Sequence, residues 1–224
     1  MSSPYISIVI PTLNEERNMR PLLKTIARAL AGYDYDVTVV DGGSQDKTVE
    51  IAQQFGARIL RETSGKGSAL KTGFVAARGD ITIAIDADLS QRPSELIRFV
   101  RGMEEGYDVC LGSRFMTGAK SYDLTAVRAA GNKLLCWLVN LRIGSRYTDL
   151  CYGYMGFKKS VFSELDLKEA GFGIEAEVHI KAFKKKLKIL EVPSTEKRRK
   201  FGDAKLRTFH DGYAVLRTII NNSF

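Results

Sequence analysis

Short runs of Val and Ile alternate along the first half of the chain with stretches whose apolar residues recur every three or four positions. That alternation is the signature of a parallel sheet covered by helices. The apolar runs predict strands over 5–10, 35–40, 57–60, 81–85 and 108–111. Between them Leu22, Leu23, Ile26, Ala27 and Leu30 share one helical face, and Leu96, Ile97, Val100 and Met103 share another. Gly32 suits the stop of the first of these helices, and Pro93 with Ser94 the start of the second.

Beyond residue 115 the pattern changes. A polar loop precedes a helix over 125–141 with Leu134, Leu135, Leu138 and Leu141 on its apolar side. A mixed segment at 148–162 is followed by a helix over 174–186, a strand over 187–192, a basic polar loop and a terminal helix over 206–221. With no repeat, low-complexity tract or linker, residues 1–224 read as one domain with a Rossmann-like, nucleotide-binding first half, 1–115, and an irregular second half, 116–224.

Composition narrows the class. A chain of 224 residues that is 44% hydrophobic and 27% charged can bury a sizeable core, which excludes a disordered or collagenous chain. No apolar run approaches the ~20 residues needed to span a bilayer, and the basic-then-apolar pattern of a signal peptide is missing from the N-terminus, so the expected location is cytoplasmic. Cys110, Cys136 and Cys151 form no CxxC pair and sit among apolar residues, as buried free thiols do. The net charge of +8 implies anionic partners, and all of the excess lies in residues 181–207, which hold 11 Lys+Arg against 3 Asp+Glu. Few aromatics interleave the basic runs 184–186 and 197–200, and no nucleic-acid-binding module is recognisable, so nucleic acid is not an expected partner.

In an open parallel sheet the ligand crevice lies beyond the carboxyl ends of the strands, so the polar residues after each apolar run carry the candidate chemistry. They are Pro11-Thr12-Leu13-Asn14-Glu15, Asp41-Gly42-Gly43-Ser44, Asp86-Ala87-Asp88 and Gly112-Ser113-Arg114. Asp86 and Asp88 would share one side of an extended strand at period two, unless the chain turns there. Two hard oxygen ligands with no His or Cys nearby fit Mg²⁺ or Mn²⁺ held jointly with substrate phosphates, although a solvated acidic turn would look the same. Ser44 is placed to cap a following helix. Gly65-Lys66-Gly67 offers backbone amides and an ammonium to phosphate. A P-loop would need Gly where Leu60 stands, and no Gly-x-Gly-x-x-Gly opens a helix, which disfavours P-loop NTPases and Rossmann dehydrogenases.

Taken together these segments resemble the family 2 glycosyltransferases of GT-A fold, and within them the dolichyl- or polyprenyl-phosphate sugar synthases. The likeness runs in order through residues 7–15, 40–46, Gly65-Lys66-Gly67 with Gly73, 86–89, Gly112-Ser113-Arg114, Arg128 with Asn132, 149–153, Glu175-Ala176-Glu177, Glu191-Val192-Pro193 and 199–206. The resemblance implies a mostly parallel sheet flanked by helices on both faces, and an inverting transfer of a sugar from a GDP- or UDP-linked donor. It implies that Pro11, Leu13, Asn14, Glu15 and Asp41 hold base and ribose, and that Lys66, Gly67, Asp86, Ala87 and Asp88 hold the ribose, diphosphate and metal, as Arg199 and Lys205 close over the diphosphate. Ser113, Arg114, Arg128 and Asn132 would bind the acceptor phosphate, making 116–224 the acceptor half. In an alternative with a hydroxyl acceptor, Asp149 would be the base. The partners implied are a nucleoside-diphosphate sugar and a polyprenyl phosphate, reached by peripheral membrane contact or through a membrane partner subunit. The sequence departs from the family pattern at Gly42, where a second acid is frequent, at Ser90-Gln91, at Tyr152-Gly153-Tyr154 and at Ala204.

Overall fold

A computed structural model describes residues 3–202 and 207–223. The chain runs β1 (Ile6–Thr12), α1 (Glu16–Ala29), β2 (Tyr35–Asp41), α2 (Thr48–Gln54), β3 (Arg58–Arg61), α3 (Lys66–Ala76), β4 (Ile81–Ala84), α4 (Leu96–Glu104) and β5 (Val109–Ser113). It continues with β6 (Lys120–Ser121), α5 (Ala126–Ile143), β7 (Met155–Lys158), α6 (Lys159–Phe162), α7 (Ile174–Lys184), β8 (Ile189–Pro193), β9 (Thr195–Glu196) and α8 (Thr208–Ser223). The main sheet has the order β3-β2-β1-β4-β7-β5-β8 and is parallel except for β7, which pairs antiparallel with both β4 and β5. β6 and β9 form a separate two-stranded sheet.

β1 lies in the interior of the sheet, between β2 and β4, because both of its faces are apolar. Ile6, Ile8 and Ile10 enter one cluster with Met19, Leu22 and Ile26 of α1 and Phe99 of α4. Val9, pointing the other way, joins Leu70 and Phe74 of α3, Val178 of α7 and Val215 of α8. Each fully buried isoleucine matters to the fold, since truncation to alanine costs about 2–5 kcal/mol. From β1 the chain winds outward through β2 and β3, then returns to add β4 on the other side. That reversal between β1 and β4 is the switch point at which such sheets bind ligands.

The expected strands and the two first-half helices form close to their predicted bounds, and Gly32 lies just beyond α1 with a φ of +92°. β7 is an addition inside the segment that read as mixed. Its sequence Met-Gly-Phe-Lys lacks β-branched residues, and its strand identity comes from the two partners between which it is inserted. Ser44 does not cap α2, which begins at Thr48; Asp46 instead accepts the Thr48 amide at 3.0 Å. Cys110 and Cys136 are buried free thiols and Cys151 is a half-buried one, with burial pushing the Cys110 and Cys151 thiols up to about 12. No helix among the described residues is long and apolar enough to cross a membrane.

Candidate active site

A cleft of about 690 Å³ opens at the switch point, between the carboxyl ends of the strands and helices α5 and α8. Of the expected site residues, Pro11, Leu13, Glu15, Lys66, Asp86, Ala87, Asp88, Arg114, Arg128, Asn132 and Arg199 line it. Asn14, Asp41, Gly67, Ser113 and Asp149 do not line it, and Lys205 lies outside the described residues.

The turn after β1 is held by Asn14, which takes a φ of +53° and bonds across to the loop after β2. Its Oδ1 accepts the Gln45 amide at 2.8 Å, and its own amide donates to Ser44 Oγ at 2.8 Å. Asp41 accepts the amides of Gly43 and Ser44 at 3.0 and 3.1 Å, an Asx-type turn that shapes the wall of the cleft. Glu15 receives Asn18 Nδ2 at 2.6 Å and Arg199 Nη1 at 3.3 Å.

β4 ends at Ala84, two residues before the acidic pair, so Asp86 and Asp88 reach the cleft through a turn and not through strand alternation as expected. Leu89 completes that turn at a φ of +63°. Each carboxylate has its own cation. Lys66 Nζ lies 3.0 Å from Asp86 Oδ1 and 3.1 Å from Glu175 Oε1, and Arg199 Nη2 lies 2.6 Å from Asp88 Oδ2. Gln91 Nε2 donates to Asp86 Oδ2 at 3.1 Å while its Oε1 accepts the Asp86 amide at 2.9 Å, so Gln91 positions Asp86. Burial works against the Lys66 ammonium, but Asp86 and Glu175 outweigh it and hold its pKa above the ordinary lysine value. Burial lifts the Glu175 carboxyl, with Lys66 pulling it back in part.

The glycines of Gly65-Lys66-Gly67 pack closely on a neighbouring loop, and Gly65 and Lys66 line the cleft. A side chain at Gly65 would meet Ala170 O at 2.6 Å and one at Gly67 would meet Glu169 O at 2.6 Å, and the Ser68 amide donates to Ala170 O at 3.1 Å. These glycines let the start of α3 dock on the 169–171 loop, which aims Lys66 inward. Gly153 makes room for it, since a Cβ there would sit 2.7 Å from Lys66 Nζ.

Arg114, just after β5, is buried. Its Nε and Nη2 bind Asp149 Oδ2 and Oδ1 at 2.7 and 3.0 Å, a fork-to-fork pair. Nη2 also donates to Cys151 O at 3.0 Å, and Nη1 to Glu196 Oε1 at 3.2 Å. Asp149 is 0% exposed and absent from the cleft wall, so its place is behind Arg114 and it does not stand where a general base must. Ser113 is likewise fully buried, bonded to Thr148 Oγ1 at 2.6 Å, and does not face the acceptor region. Arg128, at the start of α5, reaches Thr208 Oγ1 at 3.1 Å. Asn132 lines the cleft with a buried Nδ2 that lacks a hydrogen-bond partner, while its Oδ1 accepts the Leu150 amide. The structure adds Glu175, Glu196 and Gln91 to the site. Glu175 sat in a recognised segment and Gln91 at a noted departure from the family pattern, whereas Glu196 had no periodic signal.

The donor set suits a hard divalent cation. Asp86 and Asp88 supply two carboxylates at the cleft, and no group of three or more His, Cys, Asp or Glu that could hold a metal occurs among the described residues. Such a pair leaves most positions for substrate oxygens, as Mg²⁺ or Mn²⁺ at phosphates requires.

Comparison with known proteins agrees with this arrangement. The model of "Glycosyl transferase family 2" matches residues 7–166. The chain is 33% identical over 210 residues to a dolichol-phosphate mannosyltransferase of Pyrococcus furiosus, covering 90% of this chain but only 59% of that protein. It is 29% identical to a dolichyl-phosphate hexose transferase of Haloferax volcanii, covering 96% of this chain and 92% of that protein. Its fold superposes on glucosyl-3-phosphoglycerate synthase of Mycobacterium tuberculosis, crystallised with Mn²⁺, UDP and glucosyl-3-phosphoglycerate, with a TM-score of 0.74 at 23% identity over 98% of this chain and 80% of that one. With a GT-A fold and a family match over well over half its length, the chain belongs to glycosyl transferase family 2.

Proposed function

We propose that this chain transfers a sugar, with inversion, from a GDP- or UDP-linked donor to a polyprenyl phosphate at the cytoplasmic face of a membrane. The observation that carries the reading is the make-up of the cleft at the switch point. The cleft that holds Asp86, Asp88, Lys66 and Arg199 also presents Arg114, Arg128 and Asn132, and it is walled by Leu124, Val127, Leu134, Leu135, Phe209 and Leu216 of the α5–α8 region. An acceptor with an anionic head and an apolar chain matches that pairing of surfaces, and a sugar or other small polar acceptor does not. The names of the Pyrococcus and Haloferax relatives support the same acceptor class.

In this reading Asp86 and Asp88 would hold Mg²⁺ or Mn²⁺, which would supply positive charge against that developing on the leaving diphosphate. Lys66 adds a fixed positive charge beside Asp86, and Arg199 moves from Asp88 to the diphosphate. Pro11, Leu13 and Glu15 hold the nucleoside, supported from behind by Asn14 and Asp41. Arg128 and the Asn132 amide bind the acceptor phosphate, and Arg114 joins them when that phosphate displaces Glu196 from Nη1. The acceptor is itself the nucleophile. A phosphate monoester is largely ionised near neutral pH, its second pKa being ~6, so no general base is required and the protein's part is orientation.

The test is incubation with nucleoside-diphosphate sugars and Mn²⁺, offering polyprenyl phosphate in detergent micelles beside hydroxyl acceptors. Transfer to the lipid phosphate, with Arg128→Ala raising the acceptor KM more than the donor KM, supports the reading. Transfer only to hydroxyl acceptors overturns it.

A further inference from the structure

Arg114 is held by more than hydrogen bonds. Its guanidinium lies over the ring of Tyr152, with Cζ 4.8 Å from the ring centroid, inside the range of a cation–π contact. Tyr152 lines the cleft beside Arg114 and is one of the positions at which the sequence departs from the family pattern. The ring and the Asp149 carboxylate do different work. A fork-to-fork pair fixes a guanidinium within its own plane but resists tilting out of that plane only weakly. A ring packed on one face removes the tilt and keeps water off that face.

The ring is itself locked. Gly112 of β5 makes room for it, since a Cβ there would lie 3.0 Å from both Cδ1 and Cε1 of Tyr152. Tyr154 meets it edge-on, with the ring centroids 6.4 Å apart. At the far end the Tyr152 hydroxyl lies 3.0 Å from Oγ of Ser194, the residue between β8 and β9. The Ser194 hydroxyl donates to Glu95 Oε2 at 2.5 Å, so its one proton is committed and Tyr152 is the donor in their bond. Ser194 and Glu95 are both buried, and Glu95 also accepts the amide of Thr195, the residue before Glu196, at 3.1 Å. One buried carboxylate therefore fixes both the ring beneath Arg114 and the start of the strand that carries Glu196. We propose that Tyr152, locked by the Ser194–Glu95 pair, is the positioning residue that sets the tilt of Arg114, so that Nη1 stays presented to the cleft when the acceptor phosphate replaces Glu196. This role rests on the acceptor assignment proposed above, because only the loss of Glu196 leaves the ring, the Asp149 fork and Cys151 O to hold the cation.

The probe is geranyl phosphate, a short soluble polyprenyl phosphate, titrated into the full chain carrying isotope-labelled arginine and followed by NMR. The Arg114 Nε–H resonance, identified by its proximity to the Tyr152 ring protons, reads the contact directly. In Tyr152→Leu it should move downfield as the ring current is lost, and the acceptor KM in the transfer assay should rise roughly tenfold while the donor KM stays within about twofold. Tyr152→Phe keeps the ring and loses only the hydroxyl, so it should bring both the resonance and the acceptor KM back to within about threefold of wild type. Tyr152→Met, which refills the space with a flexible side chain, serves if the leucine variant does not fold. An acceptor KM equal to wild type in the variant without the ring overturns the role. So does an equal rise in acceptor and donor KM, which a general loosening of the fold would produce. A wild-type Arg114 resonance that geranyl phosphate leaves unmoved overturns the acceptor assignment and this role with it. A resonance that moves with the same affinity in wild type and in the ringless variant overturns the role alone.

Discussion

Arg199 Nη2 lies 2.6 Å from Asp88 Oδ2 and Nη1 lies 3.3 Å from Glu15 Oε1, so one guanidinium joins the turn after β4 to the start of α1. Both carboxylates are cleft residues, and Asp88 is half of the proposed metal pair. A divalent cation and a guanidinium compete for the same oxygen, so metal entry must release Arg199. Arg199→Ala should therefore tighten Mn²⁺ binding in the absence of nucleotide about fivefold, equivalent to ~1 kcal/mol for a partly exposed pair. The same variant should weaken nucleoside-diphosphate binding. Calorimetric titration of Mn²⁺ alone, then of the diphosphate, separates the two effects, and an unchanged Mn²⁺ affinity would show that the pair does not stand in the metal's way.

Gly153 gives access to a different element of the donor site. A Cβ at this position would fall 2.7 Å from Lys66 Nζ and 3.3 Å from both Asp86 Oδ2 and Glu175 Oε1. All three are ends of side chains, so the backbone is not forced to move and Lys66 gives way. Gly153→Ala should fold, lose only a few degrees in Tm, and bind nucleoside diphosphate about tenfold more weakly, or ~1.4 kcal/mol. Nucleotide binding equal to wild type would remove Lys66 from the donor site.

How much of this was legible in the sequence differs by element. β1 and β4 announced themselves because a strand buried on both faces must be a run of Val and Ile. β7 did not, since Met155–Lys158 contains a glycine and no β-branched residue and is a strand only between β4 and β5. On α5 the leucines suggested that Leu134 and Leu141 pack inward, yet the buried face is Asn132, Cys136 and Val139. Periodicity finds an apolar stripe, but it cannot rank two stripes on one helix. In the site, Asp86, Asp88 and Arg114 were nameable from strand ends, and Arg128 and Arg199 from the family resemblance. Their pairings were not, because Arg199 meets Asp88 across 111 residues and Arg114 meets Glu196 across 82. Which carboxylate each cation holds is decided by the fold, and that removed Asp149 from the role of base.

The Asp149–Arg114 pair should contribute strongly to the stability of the fold. Asp149 is fully buried and accepts both nitrogens of the fork together with the amides of Arg114 and Cys151. Removing one partner leaves a buried charge with fewer acceptors, at a cost of about 3–5 kcal/mol. Asp149→Ala should lower the urea midpoint accordingly, and a loss below ~1 kcal/mol would mean that solvent reaches the guanidinium.

Glu196 offers a pH-dependent test of the same cluster. Burial raises its carboxyl above the ordinary 4.5, although Arg114 and the hydroxyl of Ser121 pull it down in part. Between 4.5 and that raised value the folded chain holds a proton that the unfolded chain has lost, so this group's contribution to stability falls as pH rises through the window. Glu196→Gln deletes the titration while keeping an oxygen for Arg114 Nη1. Urea unfolding from pH 4 to 7 should therefore show the variant gaining on wild type as pH rises, with the gain levelling off once the wild-type carboxyl is ionised. A difference that grows in favour of wild type would mean that Arg114 overrides burial and the carboxylate is held ionised. The kinetic consequence runs in parallel. The neutral amide introduced by Glu196→Gln holds Nη1 less tightly than a carboxylate does, so an acceptor phosphate displaces it more readily and the acceptor KM should fall while the donor KM stays put. If the acceptor KM rises instead, Glu196 is holding Arg114 in the geometry that the acceptor needs.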